Sequence, residues 1–257
     1  MGLLKNFLLL AIALYLGVGA ALFVFQRSFL YFPTPAQSWA GLADVTLTNG
    51  HVHLQGYVGN DGQSRALIYF GGNAEQIGSS LQALVPQLPD TTLIGFNYRG
   101  YGDSSGEPTE AALYEDALFL FDALHSRYQH ITLVGRSLGS GVASYVAAHR
   151  PVDGLVLVTP YDSITSVAAK LYWYYPVRWM IRDRYASVER AAGIHCPVLL
   201  LVAGEDKVVP PEHSQRLFDA FSGGNARLRL FPGAEHNAIS DDPQYLSAIS
   251  AFVSATE

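Results

Sequence analysis

The sequence predicts an α/β protein: a mostly parallel sheet of about eight strands with helices on both faces. Three observations carry this. Short runs rich in Val, Ile and Leu alternate with longer helix-compatible stretches through most of the chain. The alternation follows an initial hairpin pattern, so the parallel part of the sheet begins after an antiparallel edge. Finally, the stretch ITLVGRSLGSGVAS, residues 131–144, passes from a β-branched run into a small-residue helical pattern across one Ser set between two glycines. The chain of 257 residues can hold one large domain, and no low-complexity linker or internal repeat divides it.

The elements follow in order. Residues 44–49 and 51–58 read as two strands turning at Asn49-Gly50. Residues 66–70 are a strand, 75–88 a helix, 93–97 a strand and 109–128 a helix. Residues 131–134 form the strand before Ser137, and 138–149 the helix after it. Beyond lie a strand at 154–158, an insertion, a strand at 198–202, a helix at 211–221, a strand at 227–231 and a last helix at 242–254. Ligands of such sheets bind at the carboxyl ends of the strands.

The N-terminus differs from the rest. Phe7 to Phe25 is an uncharged, almost wholly apolar run of 19 residues, preceded by Lys5 and followed by Gln26-Arg27. This is close to the ~20 residues a bilayer-crossing helix needs, so residues 1–27 are expected to be a single-pass membrane anchor and 28–257 a catalytic domain. A cleaved signal peptide is the competing reading, since Val18-Gly19-Ala20 offers small residues, but the apolar run continues well past them. Lys5 and the α-amino group against Arg27 give a slight bias to an inside N-terminus, which places the domain on the non-cytoplasmic side. The net charge is −6 with scattered cations, so nucleic acid is not an expected partner. Cys196 stands alone before Pro197 and an apolar run, as a small hydrophobe would.

Gly135-Arg136-Ser137-Leu138-Gly139 matches the G-x-S-x-G nucleophile elbow, in which a strand-to-helix turn too tight for bulky neighbours projects a Ser hydroxyl into open space. Asp206 follows the strand at 198–202, and His236 follows the strand at 227–231. The order Ser, Asp, His at three strand ends fits nucleophilic catalysis. The hydroxyl needs a base near neutral pKa to take its proton, and the base needs a carboxylate to fix its tautomer. Asp162, after the strand at 154–158, is an alternative carboxylate. The oxyanion donors are expected to be the N–H groups of Leu138, at a helix N-terminus, and of Asn73, in the loop Phe70-Gly71-Gly72-Asn73-Ala74. No metal or cofactor is expected.

These residues, with Arg27-Ser28-Phe29-Leu30-Tyr31-Phe32-Pro33 after the anchor and Asn97-Tyr98-Arg99-Gly100-Tyr101-Gly102-Asp103-Ser104-Ser105-Gly106, resemble the α/β-hydrolase superfamily along nearly the whole chain. Within it the resemblance is to the BEM46-like membrane-anchored serine hydrolases, with the ABHD13-type and ABHD17-type proteins. It implies the α/β-hydrolase fold with a small helical cap, and hydrolysis of esters, thioesters or acylated lipids. Two positions depart from the family pattern: Gly71-Gly72 stands where His-Gly is usual, and Asn97 where Asp is usual.

The insertion at about 160–186 is expected to be the cap. Its aromatic stretch, Tyr172 to Ile181, reads either as ordinary packing over the sheet or as an acyl pocket or lipid-facing lid, with Arg178 and Arg182 near anionic headgroups. Gly72, Arg136, Tyr161, Trp173 and Trp179 are the expected substrate-binding residues, for an ester or acyl-lipid substrate. Three rival functions remain: a peptidase or amidase of the same fold, a non-catalytic binding module, and a dinucleotide-binding protein. The last is disfavoured because the spacing of Gly100, Gly102 and Gly106 is one residue too long and Pro108 intervenes before the helix.

Overall fold

The computed structural model describes residues 2–256; Met1 and Glu257, the outermost residues of the expected anchor and domain, lie outside it. Its strands are β1 (Ala43–Asn49), β2 (Val52–Gly59), β3 (Arg65–Phe70), β4 (Thr91–Phe96), β5 (His130–Arg136), β6 (Gly154–Val158), β7 (Val198–Ala203) and β8 (Ala226–Phe231). They form one eight-stranded sheet in the order β1-β2-β4-β3-β5-β6-β7-β8. The β1–β2 and β2–β4 pairs are antiparallel and every other pair is parallel.

The two faces of the sheet follow from the two-residue alternation of its strands. Ile68, Leu133, Leu155, Leu157 and Leu200 point to one core. Beneath it lie α3 (Glu110–Leu124), α4 (Leu138–His149) and α7 (Pro211–Asp219). Leu67, Val134, Val156, Leu199 and Leu201 point to the other core, covered by α2 (Ile77–Leu84) and α8 (Tyr245–Ala255). Burial of both faces explains why the central strands read as unbroken apolar runs.

Several boundaries differ from the sequence reading, each for a local reason. The hairpin pairs Asn49 with Val52, so the two turn residues are Gly50 and His51 rather than Asn49 and Gly50; Gly50 takes the positive φ of 60°. Helix α2 stops at Leu84 because Pro86 turns the next residues into a short 3₁₀ segment. Helix α3 gives way likewise to a 3₁₀ turn at His125–Arg127. Cys196 packs against the first core, and burial pushes its thiol up to about 11.

The N-terminal helix α1 (Gly2–Leu30) is long and apolar enough to cross a membrane. It continues three residues past Arg27, where a boundary was expected, because its polar end is engaged by the insertion. Gln26 Nε2 donates to Met180 O at 3.3 Å, Arg182 N donates to Gln26 Oε1 at 2.7 Å, and Arg27 Nε donates to Asp183 Oδ2 at 2.9 Å. The insertion itself contains α5 (Ile164–Leu171) and α6 (Val177–Met180). The segment after α1 is not a loose tether either: Phe32 N donates to Asn73 Oδ1 at 2.9 Å, and Gln37 O accepts the Tyr57 hydroxyl at 2.5 Å.

Candidate active site

Five loops meet at the carboxyl edge of the parallel strands, after β3, β5, β6, β7 and β8. The loop after β5 is the tightest. Ser137 sits at φ 48° and ψ −114°, a region L-residues rarely adopt, and its N–H donates to Val158 O at 2.9 Å. The flanking glycines make that turn sterically possible: a Cβ on Gly135 would lie 2.4 Å from Gly139 O, and one on Gly139 only 2.1 Å from Phe70 O. Both contacts are with backbone, which cannot swing aside. Gly139→Ala should therefore lower the melting temperature by roughly 2–12 °C, the effect of an overpacked core site in a chain of this size. Thermal unfolding of the full chain in detergent checks this; an unchanged midpoint would show that the turn has room to spare.

Around Ser137 the structure brings together the three residues singled out in the sequence. His236 Nε2 lies 2.9 Å from Ser137 Oγ, and His236 Nδ1 lies 2.6 Å from Asp206 Oδ2. The other Asp206 oxygen accepts the N–H groups of Val208 at 2.9 Å and Val209 at 2.7 Å, which holds the carboxylate rigidly toward the ring. Because a carboxylate only accepts, Nδ1 carries the ring proton and Nε2 faces the Ser hydroxyl as acceptor. Asp206 and His236 are both buried. Asp162, the alternative carboxylate, is committed elsewhere: it accepts from His213 Nδ1 at 2.7 Å, Arg216 Nε at 2.8 Å and Ser163 N at 2.8 Å.

Ser137 opens into an apolar cavity of about 360 Å³. Leu138, Asn73 and Tyr161 line it together with Ser137, and the Tyr161 hydroxyl donates to Leu138 O at 3.0 Å. Four other expected substrate contacts are absent from its described wall. Gly72 spends its N–H on Glu75 Oε2 at 2.5 Å, and its contribution is steric: a Cβ there would stand 3.6 Å from that of Ser137. Arg136 turns away to pair with Glu75, Nη1 to Oε1, at 3.4 Å. Trp173 and Trp179 are 79% and 89% exposed, and the short α6 that carries Trp179 buries Val177 instead. The walls come instead from Val167, Leu171 and Tyr175 of the insertion and, unforeseen, from Leu22, Phe23 and Phe29 of α1.

The loop carrying Asn73 is braced by residues the sequence reading did not assign. Tyr98 OH donates to Gly71 O at 2.7 Å and Tyr101 OH to Asn73 Oδ1 at 2.8 Å, while Asn73 Nδ2 donates to Leu30 O at 2.7 Å. Glu75 accepts from Tyr69 OH at 2.8 Å as well as from Gly72 and Ser80. Gly71 therefore needs no His side chain to fix the loop. The tyrosines of the Asn97–Gly106 motif hold it across the sheet edge, with Arg99 pinned to Asp116 at 2.5 Å.

Fold and family agree. Residues 65–196 match the model of the alpha/beta hydrolase fold family, and the chain belongs to that family. Residues 180–243, which include Asp206 and His236, also match a model described as serine aminopeptidase, S33. Among curated proteins the chain is 33% identical to the uncharacterized protein Rv2307c of Mycobacterium tuberculosis, over 96% of this chain and 94% of that one. It is 30% identical to the lysophosphatidylserine lipase ABHD12 of Danio rerio, over 74% of this chain but only 58% of the lipase. Among solved structures, the Pyrococcus furiosus esterase Pf2001 superposes with a TM-score of 0.69 at 17% identity, covering 87% of this chain and 98% of the esterase.

Proposed function

We propose that this α/β hydrolase is a membrane-anchored serine hydrolase that cleaves carboxylic ester or thioester bonds of acylated, lipid-like substrates. The observation that carries the reading is the Ser137–His236–Asp206 hydrogen-bond relay on a strained strand-to-helix turn. In the acylation step His236 Nε2 takes the Ser137 proton as Oγ bonds to the substrate carbonyl carbon. The carbonyl oxygen, now an oxyanion, is held by the N–H groups of Leu138 and Asn73. Collapse breaks the bond to the leaving alcohol or thiol, which receives the proton from His236. Water then repeats the cycle on the acyl-enzyme and releases the carboxylic acid.

In this reading the part of α1 up to Arg27 is the anchor and residues 28–257 form the catalytic domain, with the insertion at about 160–186 as its cap. The domain stands on the non-cytoplasmic side, following the weak charge bias of Lys5. An acyl substrate is favoured over a peptide because the cavity beside Ser137 is walled by aliphatic and aromatic side chains, and because ABHD12 bears the name of a lysophospholipid lipase. The match to an aminopeptidase model supports the amidase alternative. A substrate panel separates them: with the full chain in detergent, kcat/KM for p-nitrophenyl esters should rise up to about fourfold per added methylene until the cavity is filled. Aminoacyl anilides should be poor substrates. Faster cleavage of the anilides than of any ester would establish the peptidase instead.

A further inference from the structure

Helix α1 carries one stripe that is not exposed. Gly19 is buried, and Leu22, Gln26 and Leu30 are half-buried, at the three- and four-residue spacing of one helix face. The partner of this stripe is the cap. The ring of Tyr175 lies against Gly19, where a Cβ would come within 2.9 Å of it. One turn earlier, Tyr15 stacks on Tyr175 with ring centroids 4.6 Å apart. Tyr15 OH also donates to Tyr174 O at 2.8 Å, and Tyr175 OH returns a bond to Tyr15 O at 2.9 Å.

These contacts set the depth of the cap. Tyr15 stands in the middle of the uncharged run Phe7–Phe25, eight residues after Phe7 and ten before Phe25, and that run is about 28 Å long at 1.5 Å per residue. A bilayer's hydrocarbon core is ~30 Å thick and takes ~20 residues to cross. An α1 that spans the membrane with this run therefore carries Tyr15, and the cap loop touching it, within the membrane. The loop is built for that setting. Within it Tyr175 N donates to Tyr172 O, Val177 N to Tyr175 O, Trp179 N to Pro176 O and Ile181 N to Val177 O, so these backbone donors need no water. Its exposed aromatic side chains are Trp173, Tyr174 and Trp179, amphipathic residues that favour a lipid boundary. Arg178 shares a cleft with Lys170, Glu212 and Arg216, on the side of α7, where a long cationic side chain can reach headgroups.

We propose, on the reading of α1 as an anchor, that the cap is sunk into the same leaflet as the C-terminal half of α1. Trp173, Tyr174 and Trp179 contact lipid. The Ser137 cavity, walled by α1 on one side and the cap on the other, receives an acyl chain sideways from the leaflet. Its substrate is thus a lipid ester resident in the bilayer, not one drawn from water, and the anchor is also a wall of the acyl site.

The test is depth-resolved quenching. The full chain is reconstituted in phosphatidylcholine vesicles containing doxyl-labelled phosphatidylcholine, beside the W173F/W179F double variant, which retains only Trp39. Doxyl lipid should quench most wild-type tryptophan emission and leave that of the double variant nearly untouched. Quenching of Trp173 and Trp179 by aqueous iodide but not by doxyl lipid, in protein that resists carbonate extraction, would overturn the proposal while leaving the anchor intact. Carbonate-extractable protein would overturn the anchor and the proposal together. As a functional arm, Trp179→Asp should cut hydrolysis of a vesicle-borne palmitoyl ester on the order of tenfold. Hydrolysis of p-nitrophenyl butyrate in detergent should be unchanged. Equal losses on both substrates would count against leaflet insertion.

Discussion

Replacing Ser137 by alanine should reduce turnover of every ester substrate on the order of 10⁶-fold, the scale on which removal of the nucleophile disables other serine hydrolases. Folding should be nearly unaffected. The hydroxyl's hydrogen bond is to His236, whereas the turn depends on groups the substitution leaves in place: the Ser137 N–H to Val158 O, and the close approach of Gly139 to Phe70 O. Alanine takes the same positive φ as the serine it replaces, so the strain of the elbow is unchanged. Steady-state hydrolysis of p-nitrophenyl esters, with circular dichroism as the folding control, measures the effect. A well-folded variant with more than a few per cent of wild-type turnover would mean that another group attacks the ester.

The second large effect separates two carboxylates that look alike in the sequence. Asp206→Asn should cost on the order of 10⁴ in kcat, because an amide NH₂ facing Nδ1 favours the tautomer in which Nε2 carries the proton and cannot accept one from Ser137. Asp162→Asn should leave kcat within a few-fold and act on stability instead. Burial alone would raise the Asp162 carboxyl, but hydrogen bonds from His213, Arg216 and Ser163 outweigh it and hold the group at about 2, below the ordinary 3.8. A carboxyl whose pKa is depressed on folding contributes its full stabilisation above its unfolded pKa and loses it as the pH falls through the folded value. The stability gap between wild type and Asp162→Asn should therefore be widest above pH ~5 and close between pH ~4 and ~2. Urea titrations across that range, beside kcat at neutral pH, check both variants. A larger kcat loss from Asp162→Asn than from Asp206→Asn would reverse the assignment.

The sheet was legible because each of its central strands is buried on both faces and so announces itself as a continuous apolar run, as in Leu155 to Val158 of β6 or Leu199 to Val202 of β7. Ser137, Asp206 and His236 could be picked out as a group, and they do lie within hydrogen-bond distance of one another, because the proposed chemistry demands those residue types at strand ends in that order. What escaped the sequence was direction and long-range partnership. Nothing local says that Tyr98 and Tyr101 donate to Gly71 and Asn73, nearly thirty residues earlier in the chain, or that Glu75 holds Arg136 away from the cavity. In the cap, Trp173 and Tyr175 lie in an irregular link between α5 and α6, so no helical or strand periodicity in the sequence separates the exposed Trp173 and Trp179 from Tyr175, which lines the cavity. Helix α1 reads from composition as an anchor alone; its stripe of Gly19, Leu22 and Gln26 acquires meaning only once the cap lies beside it. Leu22 and Phe23 belong to the cavity wall, so removing residues 1–25 alters the acyl site as well as any tether.

The central claim is that the hydroxyl of Ser137 is the attacking group, and covalent trapping tests it most directly. The full chain in detergent is incubated with a fluorophosphonate, digested, and mapped by tandem mass spectrometry. The expected result is a single adduct on Ser137. An adduct on any other residue, or none on folded protein that hydrolyses esters, would contradict it.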